Sequence, residues 1–219
     1  MGELVGIVLG AGSSVRMGRP KQLLALGTST VLGRSVAAAT AATLDRVLVV
    51  VPRSIPEVGQ ALPAGRAETV TLDDMPVPPP DDDLSDGAHA HRPGCSSSLQ
   101  AGLARADEAD AVVLLLGDMP TLPTTVIDQV IADWRDRRPW AAVTAYRDGI
   151  GHPFVFSADA FATLRGLHGD KAVWKVVEHE PPERIRRIPI DTPRPPDVDT
   201  WEDYLDVCRR LDVLPIERT

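Results

Sequence analysis

Short runs that are apolar at every position alternate along this chain with stretches whose apolar residues recur every three or four positions. Val47-Leu48-Val49-Val50-Val51 and Val112-Val113-Leu114-Leu115-Leu116 are of the first kind, and a strand with no polar face must be covered by helices on both sides. The pattern predicts strands over residues 4–9, 46–51, 69–72, 111–116, 141–146 and 185–190, with those two runs central. It predicts helices over 31–43, 54–62, 97–106, 124–135, 158–164, 171–179 and 201–211. Thr200 and Asp203 have the spacing of a capping box, which sets the start of the last helix. Single strands alternating with single helices indicate an α/β fold: one Rossmann-like domain over residues 1–219, with a mostly parallel central sheet and helices on both faces. No internal repeat interrupts it. Residues 76–93 carry five prolines, three consecutive aspartates and almost nothing apolar, so they are expected to form a mobile, solvated loop.

Composition narrows the function. Hydrophobic residues make up 43% and charged residues 25%, the balance of an ordinary globular protein. Lys and Arg number 23 against 31 Asp and Glu, a formal net charge of −8, which excludes the general basic face that a nucleic-acid backbone requires. Any phosphate must be met by a few local cations. The two cysteines, Cys95 and Cys208, have no metal-ligand spacing and point to a reducing compartment. Without a basic, apolar leader or a 20-residue apolar segment, the chain is expected to be cytoplasmic, with no membrane partner.

The segment Leu9-Gly10-Ala11-Gly12-Ser13-Ser14-Val15-Arg16-Met17-Gly18-Arg19-Pro20-Lys21 follows the first strand. Its glycines let backbone N–H groups curl around an anion, and Arg16 and Lys21 add positive charge. It is neither a dinucleotide fingerprint, since Val15 stands where the third glycine belongs, nor a Walker loop, since Gly18 is followed by Arg19-Pro20-Lys21. Asp118, in Leu116-Gly117-Asp118-Met119-Pro120, ends a strand at the sheet edge where open α/β folds bind ligands. There it can hold a hard divalent cation against phosphate or act as a turn residue. Ser96, Ser97 and Ser98 can cap a helix or reach a nucleotide. His152, between Gly151 and Pro153, can order its own loop or face an acceptor. Asp197 and Asp199 can cap the last helix or supply a second metal carboxylate, and spacing does not choose between them.

Residues 9–24 resemble the L-A-[AG]-G-x-S-x-R-M-G-x-x-K-x-L-L signature of the MobA-like NTP transferases, the group with the molybdenum cofactor cytidylyltransferases and molybdopterin guanylyltransferases. The resemblance continues through Gly94-Cys95-Ser96-Ser97-Ser98-Leu99, Leu116-Gly117-Asp118-Met119-Pro120, Gly151-His152-Pro153, Gly169-Asp170 and Asp197-Val198-Asp199-Thr200. It implies a GT-A-like nucleotidyltransferase that joins an NTP to a phosphorylated small-molecule acceptor and releases pyrophosphate. By the same resemblance Leu9, Gly10, Ala11, Gly12, Ser13, Arg16, Lys21, Gly94 and Ser98 bind the nucleotide. Arg16, Lys21 and Asp118 are catalytic, Asp118 and Asp199 ligate Mg²⁺, and His152 and Asp170 lie on the acceptor side. The serine segment is closest to the cytidylyl branch, implying CTP and a molybdopterin-type acceptor, with a molybdoenzyme or its maturation factor receiving the product. The rival readings are guanylyl or sugar-phosphate nucleotidyl transfer and a non-catalytic nucleotide- or pterin-binding module.

Overall fold

The computed structural model describes residues 2–12, 17, 19–62, 65–72, 95–167, 169 and 172–217. In chain order its elements are β1 (Leu4–Leu9), the short strands β2 (Ala25–Leu26) and β3 (Ser29–Thr30), α1 (Val31–Ala41), β4 (Arg46–Val51), α2 (Pro56–Gln60), β5 (Ala67–Thr71), α3 (Cys95–Arg105), β6 (Ala111–Leu116), α4 (Thr124–Arg137), β7 (Ala141–Tyr146), β8 (Gly149–Ser157), α5 (Phe161–Arg165), α6 (Ala172–His179), β9 (Ile185–Pro189) and α7 (Trp201–Leu211). Seven strands form one sheet in the order β5-β4-β1-β6-β8-β7-β9, and β2 pairs with β3 as a separate ribbon. Every pairing in the main sheet is parallel except those of β8, which runs against both β6 and β7.

Side chains alternate across the sheet, and each set is buried under helices. Leu4 and Val8 of β1 join Val113 and Leu115 of β6 in one apolar layer, closed by Leu32 and Val36 of α1 and Ile127 and Val130 of α4. Val5, Ile7 and Leu9 face the other way, with Val112 and Leu114, against Leu99 and Leu103 of α3, Leu164 of α5 and Val173 of α6. A third cluster packs Tyr204, Val207 and Cys208 of α7 on Leu24, Leu26 and Val31 beside the β2–β3 ribbon. Tyr204 Oη donates to the Ala25 carbonyl at 2.7 Å, so the end of the chain is fastened beside its beginning.

β6 is the central strand, as expected, whereas β4 lies second from an edge yet is still covered on both faces. The capping box at Thr200 is present: the Asp203 N–H donates to Thr200 Oγ1, and Asp203 Oδ2 accepts from the Thr200 N–H. The strand β8 corrects the expectation of a loop around His152. At its bulge, Val143 of β7 pairs with Phe154 and Thr144 with Gly151, leaving His152-Pro153 outside the ladder. Tyr146 Oη and Thr144 Oγ1 donate to the carbonyls of His152 and Pro153, each at 2.7 Å, satisfying groups the bulge would otherwise orphan. Residues 76–93 lie outside the described residues. Among the described residues no helix is long and apolar enough to cross a membrane.

Candidate active site

β1 leads through α1 to β4 on one side, while β6 lies on the other side of β1. The chain thus reverses its order of strand placement between β1 and β6. At such a point the turns leaving the carboxyl ends of adjacent strands diverge and leave a crevice. Leu9-Gly10 and Gly117-Asp118 occupy these ends. The two turns sit backbone to backbone, with the Gly117 N–H donating to the Leu9 carbonyl at 2.9 Å. A Cβ on Gly117 would meet the Leu9 carbonyl oxygen at 2.8 Å and Leu32 Cδ1 at 2.7 Å, so glycine is required for this approach.

Into the crevice comes Lys21, on a single helical turn at Lys21–Leu23. Its ammonium donates to Asp118 Oδ2 at 2.7 Å and to Asp199 Oδ1 at 2.7 Å. Lys21 is only 7% exposed. Burial alone would drive its pKa down, but the two carboxylates outweigh that and hold it above the usual lysine value. Burial pushes the Asp118 carboxyl above its ordinary value even with the ammonium alongside, and the charges of Asp197 and Asp199 push the same way. The centre therefore holds closely set carboxylates that are short of positive charge.

Two main-chain links bring Asp199 to this point. The Val198 N–H donates to the Asp118 carbonyl at 2.9 Å, and the Asp199 N–H donates to Asp203 Oδ2 at 3.1 Å. The capping box of α7 thus also fixes the backbone of a site residue. Behind Lys21, Gln22 is buried, and its Nε2 donates to the carbonyls of Gly10 at 3.0 Å and Gly12 at 2.7 Å. The sequence marks Gln22 as a site residue only by its place beside Lys21.

Asp118 Oδ1 is buried and has no hydrogen-bond partner among the described residues. An orphaned carboxylate oxygen beside a second carboxylate suits a hard divalent cation, which typically takes one or two carboxylates and completes its shell with phosphate oxygens and water. Among the described residues no third His, Cys, Asp or Glu is gathered there, so a triphosphate would have to supply the remaining ligands.

The structure thus joins Lys21, Asp118 and Asp199, and ties Gly10 and Gly12 to them through Gln22. Leu9 and Ala11 are buried at the end of β1, and Ser98 is buried on α3. His152 is buried in β8 and stacks on Phe154, the ring centroids 4.2 Å apart. Its Nδ1 lies 3.2 Å from the Leu114 carbonyl. Burial lowers its pKa to about 4, so the ring is neutral at physiological pH. Ser13, Arg16, Gly94 and Asp170 lie outside the described residues.

The model of the MobA-like NTP transferase domain matches residues 6–185. The chain belongs to that family. The purine catabolism protein PucB of Bacillus subtilis (strain 168) is 26% identical over 215 residues, covering 94% of this chain and 96% of its own. A 2-C-methyl-D-erythritol 4-phosphate cytidylyltransferase from Rhodococcus opacus (strain B4) is 31% identical over 137 residues, 61% of this chain and 52% of its own length. Among solved structures, a homologue of Mycobacterium tuberculosis Rv0371c from Mycobacterium sp. strain JC1 superposes with a TM-score of 0.80 at 37% identity, covering 95% of this chain and 96% of that one. Rv0371c itself, in complex with manganese, gives 0.76 at 33% identity, covering 94% and 98%. As a MobA-like NTP transferase the protein is a nucleotidyltransferase, and its family works with a divalent cation.

Proposed function

We propose that the protein transfers CMP from CTP to the terminal phosphate of a molybdopterin-type cofactor, with Mg²⁺ as the divalent cation, releasing pyrophosphate. The observation that carries the transfer reading is the Lys21 ammonium bridging Asp118 and Asp199 beside the glycine-rich turn, where β1 and β6 end. The choice of CTP is supported by the serine segment at residues 94–99 and by the 31% identical cytidylyltransferase, whose name also specifies a phosphorylated acceptor.

In this reading the triphosphate lies along the glycine-rich turn, with Arg16 and Lys21 beside it. An acceptor phosphate is already ionised at neutral pH, so it attacks the α-phosphorus in line without a general base. The protein's work is then to align the two phosphates and to offset the charge that gathers on the leaving pyrophosphate, electrostatic positioning that dominates such transfers. Lys21, held cationic by two carboxylates, supplies part of that offset. A divalent cation at Asp118 and Asp199 would draw further negative charge from the phosphate oxygens. The family resemblance assigns His152 and Asp170 to the acceptor side, but His152 is packed in the core against Phe154, so of the two only Asp170 is proposed to meet the acceptor. The product passes to a molybdoenzyme or its maturation factor, and the work is done in the cytoplasm.

Pyrophosphate release measured with ATP, CTP, GTP and UTP across a panel of phosphorylated acceptors that includes molybdopterin tests this. Release with CTP and molybdopterin above all other pairs is expected. Preference for GTP overturns the cytidylyl assignment, and turnover only with sugar phosphates overturns the acceptor.

A further inference from the structure

Gln22 has a buried side chain whose amide nitrogen reaches two carbonyl oxygens on either side of Ala11, at Gly10 and Gly12. Both partners are pure acceptors, so only the NH₂ end of the amide can face them, and both of its hydrogens are used. Peptide units are planar and trans: where the Gly10 carbonyl points inward to Gln22, the N–H of Ala11 in the same unit points the opposite way. Among the described residues that N–H has no hydrogen-bond partner. A Cβ on Gly12 would meet nothing within 4 Å among the described residues, so there is room beside this turn.

We propose that Gln22 is the positioning residue of the nucleotide turn: by holding the Gly10 and Gly12 carbonyls inward, it directs the N–H side of the turn toward the triphosphate. A turn free to rotate would present carbonyl oxygens to the phosphates for part of the time, and like partial charges would repel them. Because Gln22 follows Lys21 on the same single helical turn, one short element aims the ammonium at the carboxylates and sets the face of the anion-binding turn. This inference rests on the nucleotidyl-transfer reading and deepens it.

Isothermal titration of the wild-type protein with ATP, CTP, GTP and UTP in MgCl₂ identifies the tightest-bound triphosphate, which becomes the probe. Gln22→Leu and Gln22→Glu are then titrated with that triphosphate, and separately with Mn²⁺ alone, well below their melting temperatures. Gln22→Glu keeps the length and volume of the side chain and loses the donors, so it carries the test if Gln22→Leu fails to fold. The expected result is triphosphate affinity at least tenfold weaker in both variants, with affinity for Mn²⁺ alone within twofold of wild type. Unchanged triphosphate affinity in folded Gln22→Glu overturns the proposal, as does an equal loss of Mn²⁺ and triphosphate binding, which would mark a general collapse of the turn. Absence of binding of all four triphosphates to the wild type would overturn the nucleotidyl-transfer reading itself, a result distinct from variants that bind as the wild type does.

Discussion

Lys21 and Asp118 stand 97 residues apart in the sequence and meet at 2.7 Å, with the ammonium nearly buried and shared with Asp199. An ammonium in that position neutralises the carboxylates and also competes with any other cation for them. It therefore both prepares the centre and guards it.

Lys21→Met removes the competitor. The carboxylates of Asp118 and Asp199 are left facing each other with the Asp197 charge nearby, and affinity for Mn²⁺ without nucleotide should rise about tenfold or more, as expected when a like charge a few ångströms away is deleted. Turnover should fall nonetheless, because the cation beside the triphosphate is lost. Electron paramagnetic resonance of free Mn²⁺ checks the first part. Equal or weaker Mn²⁺ binding in the variant would show that the ammonium does not compete.

Asp118→Asn keeps the shape of the side chain and an acceptor for Lys21 but removes the charge. Turnover, read as pyrophosphate release, should drop about 100-fold or more. The melting midpoint should move by only a few degrees, since relief from burying a carboxylate offsets the weaker bond from Lys21. A near-wild-type rate would remove Asp118 from the chemistry.

His152 gives the protein a pH signature unconnected with catalysis. Its ordinary pKa of 6.5 is lowered by burial to about 4. Between those values the unfolded chain binds a proton that the folded chain refuses. This contribution to stability is full above pH 6.5, shrinks as the pH falls and is gone below about 4, a change of about 3 kcal/mol. Urea denaturation at pH 4.5, 5.5 and 7 should show that loss in the wild type and a flatter profile in His152→Gln, whose amide can still meet the Leu114 carbonyl. Parallel profiles for the two proteins would contradict the assignment.

Gly117→Ala forces a methyl group against the Leu9 carbonyl and Leu32 where β1 and β6 end. Overpacking of this kind costs about 1–3 kcal/mol, and calorimetry should find the midpoint lowered by roughly 2–12 °C at this chain length. Gly12→Ala, with nothing described within 4 Å, should melt as the wild type does. Similar midpoints for the two variants would refute the close-approach account.

Much of this architecture is legible in the sequence because its parallel strands have no polar face. The expected bounds for β1, β4, β6 and β7 coincide with those observed, and in β4 and β6 a run of consecutive apolar residues has few other fates. β8 escapes such reading: Gly149, Gly151 and Pro153 look like loop punctuation, and pairing with two flanking strands overrides them. β2 and β3, two residues each, are too short to leave a periodicity. In the site, Lys21 stands out by following the glycine-rich turn and Asp118 by its place at a strand end, whereas Asp199 is given by the family resemblance alone, because spacing fits a helix cap as well as a metal ligand. Gln22 is not legible, because its function lies in which carbonyls it meets, and no spacing encodes that. His152 reads as a polar residue in a turn, whereas a two-residue bulge carries it into the core.

Asp199 reaches Lys21 across 178 residues, and it does so from beyond β9, the last strand of the sheet. On the ribosome every strand is therefore laid down before the carboxylate that completes the Lys21 pair emerges. A break in the backbone between β9 and Asp199 would spare all seven strands yet sever the covalent link between Asp118 and Asp199. Synthesis finishes the sheet before it completes the charge centre.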